Sequence, residues 1–599
     1  MAFTDPPLFL TRPVLRGSFG MAASTHWVST AVAQSVLERG GNAFDAAVAA
    51  GFVMHVVEPH LNGPGGDLVA LIAPVDADVA VVVGQGPAPA KASIEHYRSL
   101  GLDSVPGSGA LAAAVPGAVE AWLWMLREHG TWEIADVLAY AIHYAEVGQP
   151  LVPQACQTIA TMAEHFKRHW PTSADLWLID GRAPEPGTVM RNPAYATTLR
   201  RLLAAAARGT REERIDAVRH EWKRGFVAEE AAACAAQVHR HSDGGDYAGV
   251  LEAADFAGFD AGAEQPVTLD FRGYQVCKAP FWTQGPVLLQ ALAILDNFDD
   301  ADLDPSTERG VHTIVEALKL AMADRDAYYG DVAADDELLR YLISPEYAKT
   351  RAALISEVAS GEFRPGGIPG VTPFLPPLRE PTPAEEYRPA LGTGEPTVRP
   401  AGAMNGDTVH LDVVDRWGNM IAATPSGGWL QSNPTMPGLG FCLGTRLQMT
   451  WLDPQSPSAL TPGKRPRTTL TPTILSRDGK AVSALGSPGG DQQDQWQLSY
   501  LLRTIGGGYT PQQAIDAPMF HTTALIGSFW PRPWTRRGVV VEERLGAEVI
   551  EGLRRRGHDV TVSGPWSLGR LSAVGRDPET GLLSAAANPR GMQGYAAGR

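Results

Sequence analysis

A break in hydrophobic patterning divides this 599-residue chain near residue 400. From Arg364 to Pro400 the sequence holds proline at ten positions and shows no hydrophobic period, which is typical of an extended linker or tail. The stretch "TVHLDVVD" comes shortly after it and alternates apolar and polar side chains as a half-buried strand does. The strand pattern opens on Thr408. A threonine at the start of a strand pattern, behind an unpatterned segment, therefore needs an explanation.

Secondary-structure patterns differ on the two sides of this break. Helical periodicity dominates from about Gly117 to Ile355, and an apolar helix is predicted from Asn42, with Asp45 reaching back as a capping carboxylate. Two strands are predicted early, in "DLVALIAP" and "VAVVVG", and the region after residue 400 is rich in strands, with a hairpin turn at 477–479. Strands at both ends that enclose a helical middle favour one core assembled from distant parts of the chain.

The chemistry open to Thr408 depends on whether it begins a chain. Within a strand it is an ordinary β-former. As a first residue its hydroxyl is a nucleophile, and its own α-amino group, with a pKa of about 8, is a general base beside it. Such a mechanism requires cleavage between Asp407 and Thr408. If residues 416–418 form a three-residue loop, antiparallel register places Ser426 opposite Thr408, whereas a two-residue loop places Pro425 there.

The stretch "GSPGG", from Gly486 to Gly490, follows a predicted strand. Two adjacent glycines can turn their backbone N–H groups toward one point, as an oxyanion hole requires, or they can simply form a turn with positive φ. The stretch lacks the GK[ST] of a phosphate-binding loop, and Ser487 is followed by Pro488, so a GxSxG nucleophile elbow does not fit.

Several stretches, taken in order, resemble the γ-glutamyltransferase (γ-glutamyltranspeptidase) family of N-terminal-nucleophile hydrolases. They are "RGGNAFDAAVAAGFVMHVVEPHLNGPGG", "EALKLAMADRDAYYGD", "GDTVHLDVVDRWGN", "PGKRPRTTLTPTIL" and "GSPGGDQ", within a resemblance that runs from about Gly17 to the C-terminus. The resemblance implies an α+β fold of the αββα sandwich type. It implies a proenzyme that cuts itself into a helix-rich large fragment 1–407, with the proline-rich tail 364–403, and a small fragment 408–599. The two fragments would remain one intertwined structural unit.

The resemblance also implies roles in catalysis. An acyl-enzyme would form on Thr408 and be released to water or to an amine. Gly489 and Gly490 would form the oxyanion hole. Ser426 falls where the family places a second hydroxyl near the amino group of the nucleophile.

The positions that would bind substrate match the family less well. Thr468 and Thr469 fall where the family has two serines that contact the substrate carboxylate. Gln85, however, stands where the family has an arginine that pairs with the α-carboxylate. A neutral amide does not replace a guanidinium–carboxylate pair without losing charge-assisted hydrogen bonds.

A second departure lies in "GTRLQMTWLDP", from Gly444 to Pro454. The family's amino-group-binding run is absent, and its key aspartate becomes Trp451 or remains as Asp453, depending on the gap chosen. Arg446 in this run and Arg467 before the threonine pair are the candidate replacements for the missing carboxylate partner. Each could equally be part of a structural salt bridge.

These observations leave three functional hypotheses. The first is an autoprocessing amidase or acyltransferase of the γ-glutamyltransferase type, with Thr408 as nucleophile. The second keeps this chemistry but acts on a non-glutamyl substrate, such as a dicarboxylic acyl amide or an oxamate-type amide. The third is a relative that is neither processed nor catalytic. The expected partners are a small-molecule amide or γ-glutamyl substrate and the two fragments of one precursor.

Composition excludes several other classes. A net charge of −16 argues against nucleic acid as a general partner. The four cysteines lie far apart without metal-ligand spacing, so we expect no metal site, and the mechanism requires no cofactor. The sequence lacks a signal-peptide pattern and a long apolar run, so we expect a cytoplasmic protein that does not enter a membrane.

Overall fold

The computed structural model describes residues 3–333, 336–381, 408–590 and 594–599. Its helices, α1 to α18 in chain order, are Trp27–Glu38, Ala43–Val57, Ile94–Ser99, Ala118–His129, Ile134–Val147, Pro153–His169, Pro171–Trp177, Pro193–Ala205, Arg211–Arg224, Phe226–Ala235, Ala253–Ala257, Pro286–Leu295, Glu308–Tyr328, Glu337–Tyr341, Pro345–Ala352, Gln493–Leu501, Pro511–Asp516 and Ala547–Arg555. Its strands, β1 to β21, are Leu15–Gly17, Gly20–Ser24, Asp67–Ala73, Ala80–Gly84, Gln149–Pro150, Val189–Met190, His239–Arg240, Asp246–Tyr247, Gly262–Glu264, Val267–Phe271, Tyr274–Lys278, Leu411–Asp415, Met420–Ser426, Thr473–Arg477, Lys480–Gly486, Phe520–Thr522, Gly538–Glu542, Asp559–Ser563, Ser572–Arg576, Leu583–Ala587 and Tyr595–Gly598.

Two seven-stranded sheets form the centre of the fold. The first has the order β1-β20-β19-β15-β14-β11-β10, and the second has the order β21-β2-β12-β13-β3-β4-β9. Apolar side chains from both sheets, including Met21, Val69, Ile474 and Val574, share one buried cluster, so the sheets pack face to face. Each sheet combines strands from before and after residue 400. In the second sheet, for example, β12 pairs with β2 on one side and with β13 on the other.

Helices cover the outer faces of both sheets. The apolar faces of α1, α2, α4 and α5 pack on the second sheet, and those of α12, α13 and α16 pack on the first. The layers therefore run helix, sheet, sheet, helix, which confirms the predicted α+β fold and αββα sandwich. Among the helices that the structure describes, none combines the length and apolarity that crossing a membrane requires.

The helix α2 begins as its sequence predicts. The Asn42 side chain accepts from the backbone N–H of Asp45 at 2.9 Å, and the Asp45 carboxylate accepts from the backbone N–H of Asn42 at 2.9 Å. This reciprocal pair is a capping box. The small residues of α2 allow close packing, since a Cβ on Gly51 would lie 2.5 Å from the Trp122 ring.

Helices dominate residues 117–355 as predicted, but the strands inside this region were not predicted. The region from about 117 to 355 contains three strands of the central sheets, β9 to β11, between residues 262 and 278. β10 and β11 form a hairpin whose two-residue turn, Arg272 and Gly273, has positive φ at both positions. Such short strands carry a weak periodic signal, and pairing of β11 with β14 far along the chain holds them in the sheet.

Buried histidines make the stability of this fold depend on pH. Burial lowers the pKa to about 3 in each of a set of described histidines: His26, His55, His60, His521 and His558. Unfolded histidine has a pKa of about 6.5, so below that pH the unfolded chain binds more protons than the folded one. We expect the free energy of unfolding to fall by about 1 kcal/mol per histidine between pH 7.5 and 6.0, measured by urea titration.

The variant His55→Gln supplies the control for this expectation. His55 packs against Tyr195, and its Nδ1 lies 3.1 Å from the tyrosine hydroxyl, a contact that glutamine can replace. The variant should lose one histidine's contribution to the pH dependence. A pH dependence unchanged from the wild type would contradict the assignment of His55 as a buried neutral group.

Candidate active site

Thr408 lies at the end of the second sheet, just before β12. It forms an antiparallel bridge with Ser426, the last residue of β13, and the turn closes with Asp415 N–H donating to the Asn419 carbonyl at 3.1 Å. This confirms the register predicted from a three-residue loop. The Thr408 hydroxyl lies 3.2 Å from the Ser426 hydroxyl and 3.2 Å from the Gly489 carbonyl oxygen. Its single proton can be donated to only one of these at a time.

The loop after β15 brings the two predicted oxyanion glycines beside Thr408. Gly489 has φ +113°, a backbone conformation that favours glycine, and the Gln493 side chain donates to its carbonyl. In the part of the chain that the structure describes, neither Gly489 N–H nor Gly490 N–H donates a hydrogen bond. Backbone N–H groups available beside a hydroxyl are what an oxyanion requires.

Behind Thr408, a buried polar network follows the same face of β12. His410 Nε2 lies 2.8 Å from an Asp412 carboxylate oxygen, and His410 Nδ1 lies 2.9 Å from the Thr424 hydroxyl. The other Asp412 oxygen accepts from Ser572 at 2.7 Å. Burial raises the pKa of Asp412, and the contact with His410 lowers it. This network was not predicted from the sequence, although residues 408, 410 and 412 alternate onto one face of the strand pattern, which is a usable signal.

The glycine at position 486 makes room for this network. A Cβ there would lie 2.2 Å from the His410 ring, although the backbone of Gly486 does not itself require glycine. We expect Gly486→Ala to displace His410 and to lower kcat by about tenfold or more, because misplaced catalytic groups lose rate steeply. Gly262→Ala is the matched control, since it is also in a strand and its Cβ would meet no atom within 4 Å. Equal activity of the two variants, measured by steady-state kinetics, would show that the position of His410 does not affect the reaction rate.

Gln85 and Arg446 line the same small cavity of about 10 Å³, next to the end of β13. Arg446 makes a buried two-point ion pair with Asp67, with Nη2 to Oδ1 at 2.8 Å. Asp67 is the β-sheet partner of Ser426. Gln85 is fully buried and donates to the Gly86 carbonyl at 3.0 Å, while its Oε1 has no hydrogen-bond partner among the described residues.

Arg467 and the threonine pair lie in the segment before β14. The backbone of Thr468 bonds to Trp282 and Gln284, which fixes the position of this segment. Within the described chain, the buried Thr469 hydroxyl has no hydrogen-bond partner. Arg467 Nη2 donates to the Ser528 hydroxyl at 3.0 Å.

Trp451 and Asp453 occupy different environments. The Trp451 ring lies 3.9 Å from the Arg532 guanidinium in a cation–π contact. The Asp453 carboxylate accepts from the Gln455 backbone N–H at 2.9 Å and so stabilises a turn. Asp407, on the other side of the predicted cleavage point, lies outside the described residues.

The described residues also contain a group with metal-ligand character. His312, Glu316 and His558 are buried, and their ligand atoms lie within 4.8 Å of one another. The Glu316 carboxylate already accepts from Lys319 and Arg364, the latter at 3.1 Å. These two positive charges disfavour a cation at this place.

Comparisons with known proteins place the chain among its relatives. The family model described as gamma-glutamyltranspeptidase matches residues 29–598. An oxamate amidohydrolase proenzyme from Klebsiella pneumoniae subsp. pneumoniae is 32% identical over 97% of this chain and 98% of its own length. A glutathione hydrolase-like YwrD proenzyme from Bacillus subtilis is 31% identical over 96% and 98%. A solved structure titled LmbA2991HD is 52% identical, with a TM-score of 0.92 over 99% of this chain and 100% of that one.

The match covers nearly the whole chain, and it includes the strand that opens on Thr408 and the glycine loop beside it. The predicted γ-glutamyltransferase-like enzyme class is thereby confirmed, with the substrate left open. The chain belongs to the gamma-glutamyltranspeptidase family.

Proposed function

We propose that the chain is a precursor that cleaves itself between Asp407 and Thr408, and that the freed Thr408 is the nucleophile of an amide hydrolase or acyltransferase. The observation that carries this proposal is the position of the Thr408 hydroxyl, 3.2 Å from both Ser426 Oγ and the carbonyl of Gly489. The Ser426 hydroxyl and the Gly489–Gly490 segment, whose backbone N–H groups donate no hydrogen bond among the described residues, support this proposal.

Self-cleavage would proceed by an acyl shift. The Thr408 oxygen attacks the Asp407 carbonyl carbon, its proton passes to the Thr408 nitrogen, and the C–N bond breaks to leave an ester. Ser426 can relay that proton because its hydroxyl both accepts and donates. Water then hydrolyses the ester, which releases the Asp407 carboxylate and a free Thr408 α-amino group.

The mature reaction would use that amino group as general base. It takes the hydroxyl proton as the Thr408 oxygen attacks the amide carbonyl, and the N–H groups of Gly489 and Gly490 stabilise the oxyanion. The proton then passes to the leaving amine, and an acyl-enzyme ester remains. Water or an acceptor amine attacks this ester and restores the threonine.

The first candidate substrate is a γ-glutamyl amide, with Thr468 and Thr469 at the acyl group and Gln85, Arg446, Arg467, Trp451 and Asp453 as further substrate-binding candidates. The buried, neutral Gln85 favours the second candidate, a non-glutamyl dicarboxylic or oxamate-type amide, because no guanidinium stands there. One of the two proenzymes described above is named an oxamate amidohydrolase, and the other is named glutathione hydrolase-like. The cytoplasmic location stays a prediction from the sequence.

Intact mass spectrometry of the purified protein tests the proposal. Two fragments divided before Thr408 support it. A stable uncut chain of 63.9 kDa contradicts it and favours a relative without catalysis. A panel of γ-glutamyl, dicarboxylic and oxamate-type amides, followed by amine release, then separates the two substrate candidates.

A further inference from the structure

Three buried arginines surround two aspartates beside the glycine loop, among the residues that the structure describes. Arg325 engages both carboxylates, with Nε and Nη2 at 3.2 and 3.0 Å from Asp326 and Nη1 bonded to Asp491. Asp491 also accepts from the Ser528 backbone N–H and hydroxyl, at 2.9 and 2.6 Å. Both aspartates are therefore paired mainly with Arg325.

Neither of the other two guanidiniums has a close carboxylate of its own among the described residues. Arg467 reaches Asp326 only at 3.7 Å, and its Nη1 has no hydrogen-bond partner within the described chain. Arg532 donates to the backbone carbonyls of Gln448 and Thr450, each at 2.5 Å, and stacks on Trp451. Burial and the neighbouring positive charge lower the pKa of Arg467 to about 10 and that of Arg532 to about 9.

A bound anion would balance the excess positive charge of three arginines over two aspartates, since a buried charge requires a partner. Arg467 is 4% exposed and Arg532 is 8% exposed, so water supplies little of that compensation. Nη1 of Arg467 is a buried donor without a hydrogen-bond partner among the described residues, and a carboxylate oxygen can satisfy it.

This place lies close to the proposed nucleophile. Asp491 follows Gly489 by two residues, so their Cα atoms are at most about 7 Å apart. Ser528 links Asp491 to Arg467, and Gly489 contacts the Thr408 hydroxyl. Arg467 also precedes the threonine pair, where the buried hydroxyl of Thr469 has no partner in the described part of the chain.

The alternative arginine is already neutralised. Arg446 is paired at two points with Asp67, so it offers little net charge to a ligand in the cavity that it shares with Gln85. We propose that the acyl donor is an anionic amide whose carboxylate binds Arg467, with Arg532 adding positive charge behind it. This inference rests on the proposed function, and it names the carboxylate-binding residue for the reaction on Thr408.

The test compares two amides that differ in one charged group. Succinamate carries a carboxylate where butyramide carries a methyl group, and ammonia release measures kcat/KM for both. We expect the wild type to prefer succinamate, and Arg467→Met to reduce the succinamate-to-butyramide ratio by about 100-fold. Arg467→Lys should restore part of the ratio. Arg200→Met, at an exposed pair with Glu146, should leave the ratio unchanged.

A ratio unaffected by Arg467→Met would overturn the proposal. Calorimetric titration of succinate into the same proteins keeps the test decisive when neither amide turns over. Binding to the wild type that is lost in Arg467→Met supports the anion site, and no binding to the wild type overturns it. An uncut chain that still binds succinate through Arg467 would refute the proposed catalysis but keep the anion site.

Discussion

Thr408→Ala should yield a single uncut chain of 63.9 kDa and no measurable amide turnover, whereas the wild type divides before residue 408. The substitution removes the oxygen that both attacks the Asp407 carbonyl and carries the acyl group. It also prevents release of the α-amino base, so both steps fail together. We expect kcat to fall by at least about 10³-fold, since catalytic groups that act as a unit are not replaced individually. Intact mass spectrometry and an ammonia-release assay measure the two effects.

Two variants make this experiment specific. Thr408→Ser retains a hydroxyl nucleophile and should still be cut. Thr197→Ala removes an exposed threonine on α8 and should behave as the wild type. Efficient cleavage of Thr408→Ala before residue 408 would show that another group performs the cut, and it would refute the N-terminal threonine mechanism.

Asp67→Asn should produce the largest loss of stability among single substitutions near the site. It leaves the Arg446 guanidinium, which is 6% exposed, without a counter-charge. Removing one partner of a buried ion pair costs about 3–5 kcal/mol, because the remaining charge is neither hydrated nor paired. Burial raises the pKa of Asp67 and Arg446 lowers it, so the aspartate itself depends on this contact. Urea unfolding at neutral pH measures the change in the free energy of unfolding.

The double variant Asp67→Asn/Arg446→Met is the informative control. It removes both charges, and we expect it to recover much of the lost stability. Glu146→Gln breaks the exposed pair with Arg200 and should leave the free energy of unfolding almost unchanged, because solvent screens this pair. A double variant as unstable as Asp67→Asn would show that packing, and not the unpaired guanidinium, causes the loss.

Short-range features of this protein were predictable from its residues. The capping box at Asn42, the turn at 477–479 and the pairing of Thr408 with Ser426 all depend on groups a few residues apart or on one loop length. Alternation along a strand and the geometry of a tight turn are local properties, so the sequence alone specifies them.

Prediction failed where local patterns were short. The strands β9 to β11 are three to five residues long and lie among helices, so their alternation was weaker than the helical signal around them. Their pairing partners, β4 and β14, lie far away in the chain.

The sequence by itself determined the family, the layered fold and the pairing of Thr408 with Ser426. Only the tertiary structure decided which of two candidate arginines carries unbalanced charge. The sequence alone does not distinguish Arg446 from Arg467. Folding pairs Arg446 with Asp67, 379 positions away. Arg467, in contrast, shares two aspartates with Arg325 and Arg532. Charge balance at a buried site depends on every group that packs there, and those groups are brought together only by long-range contacts.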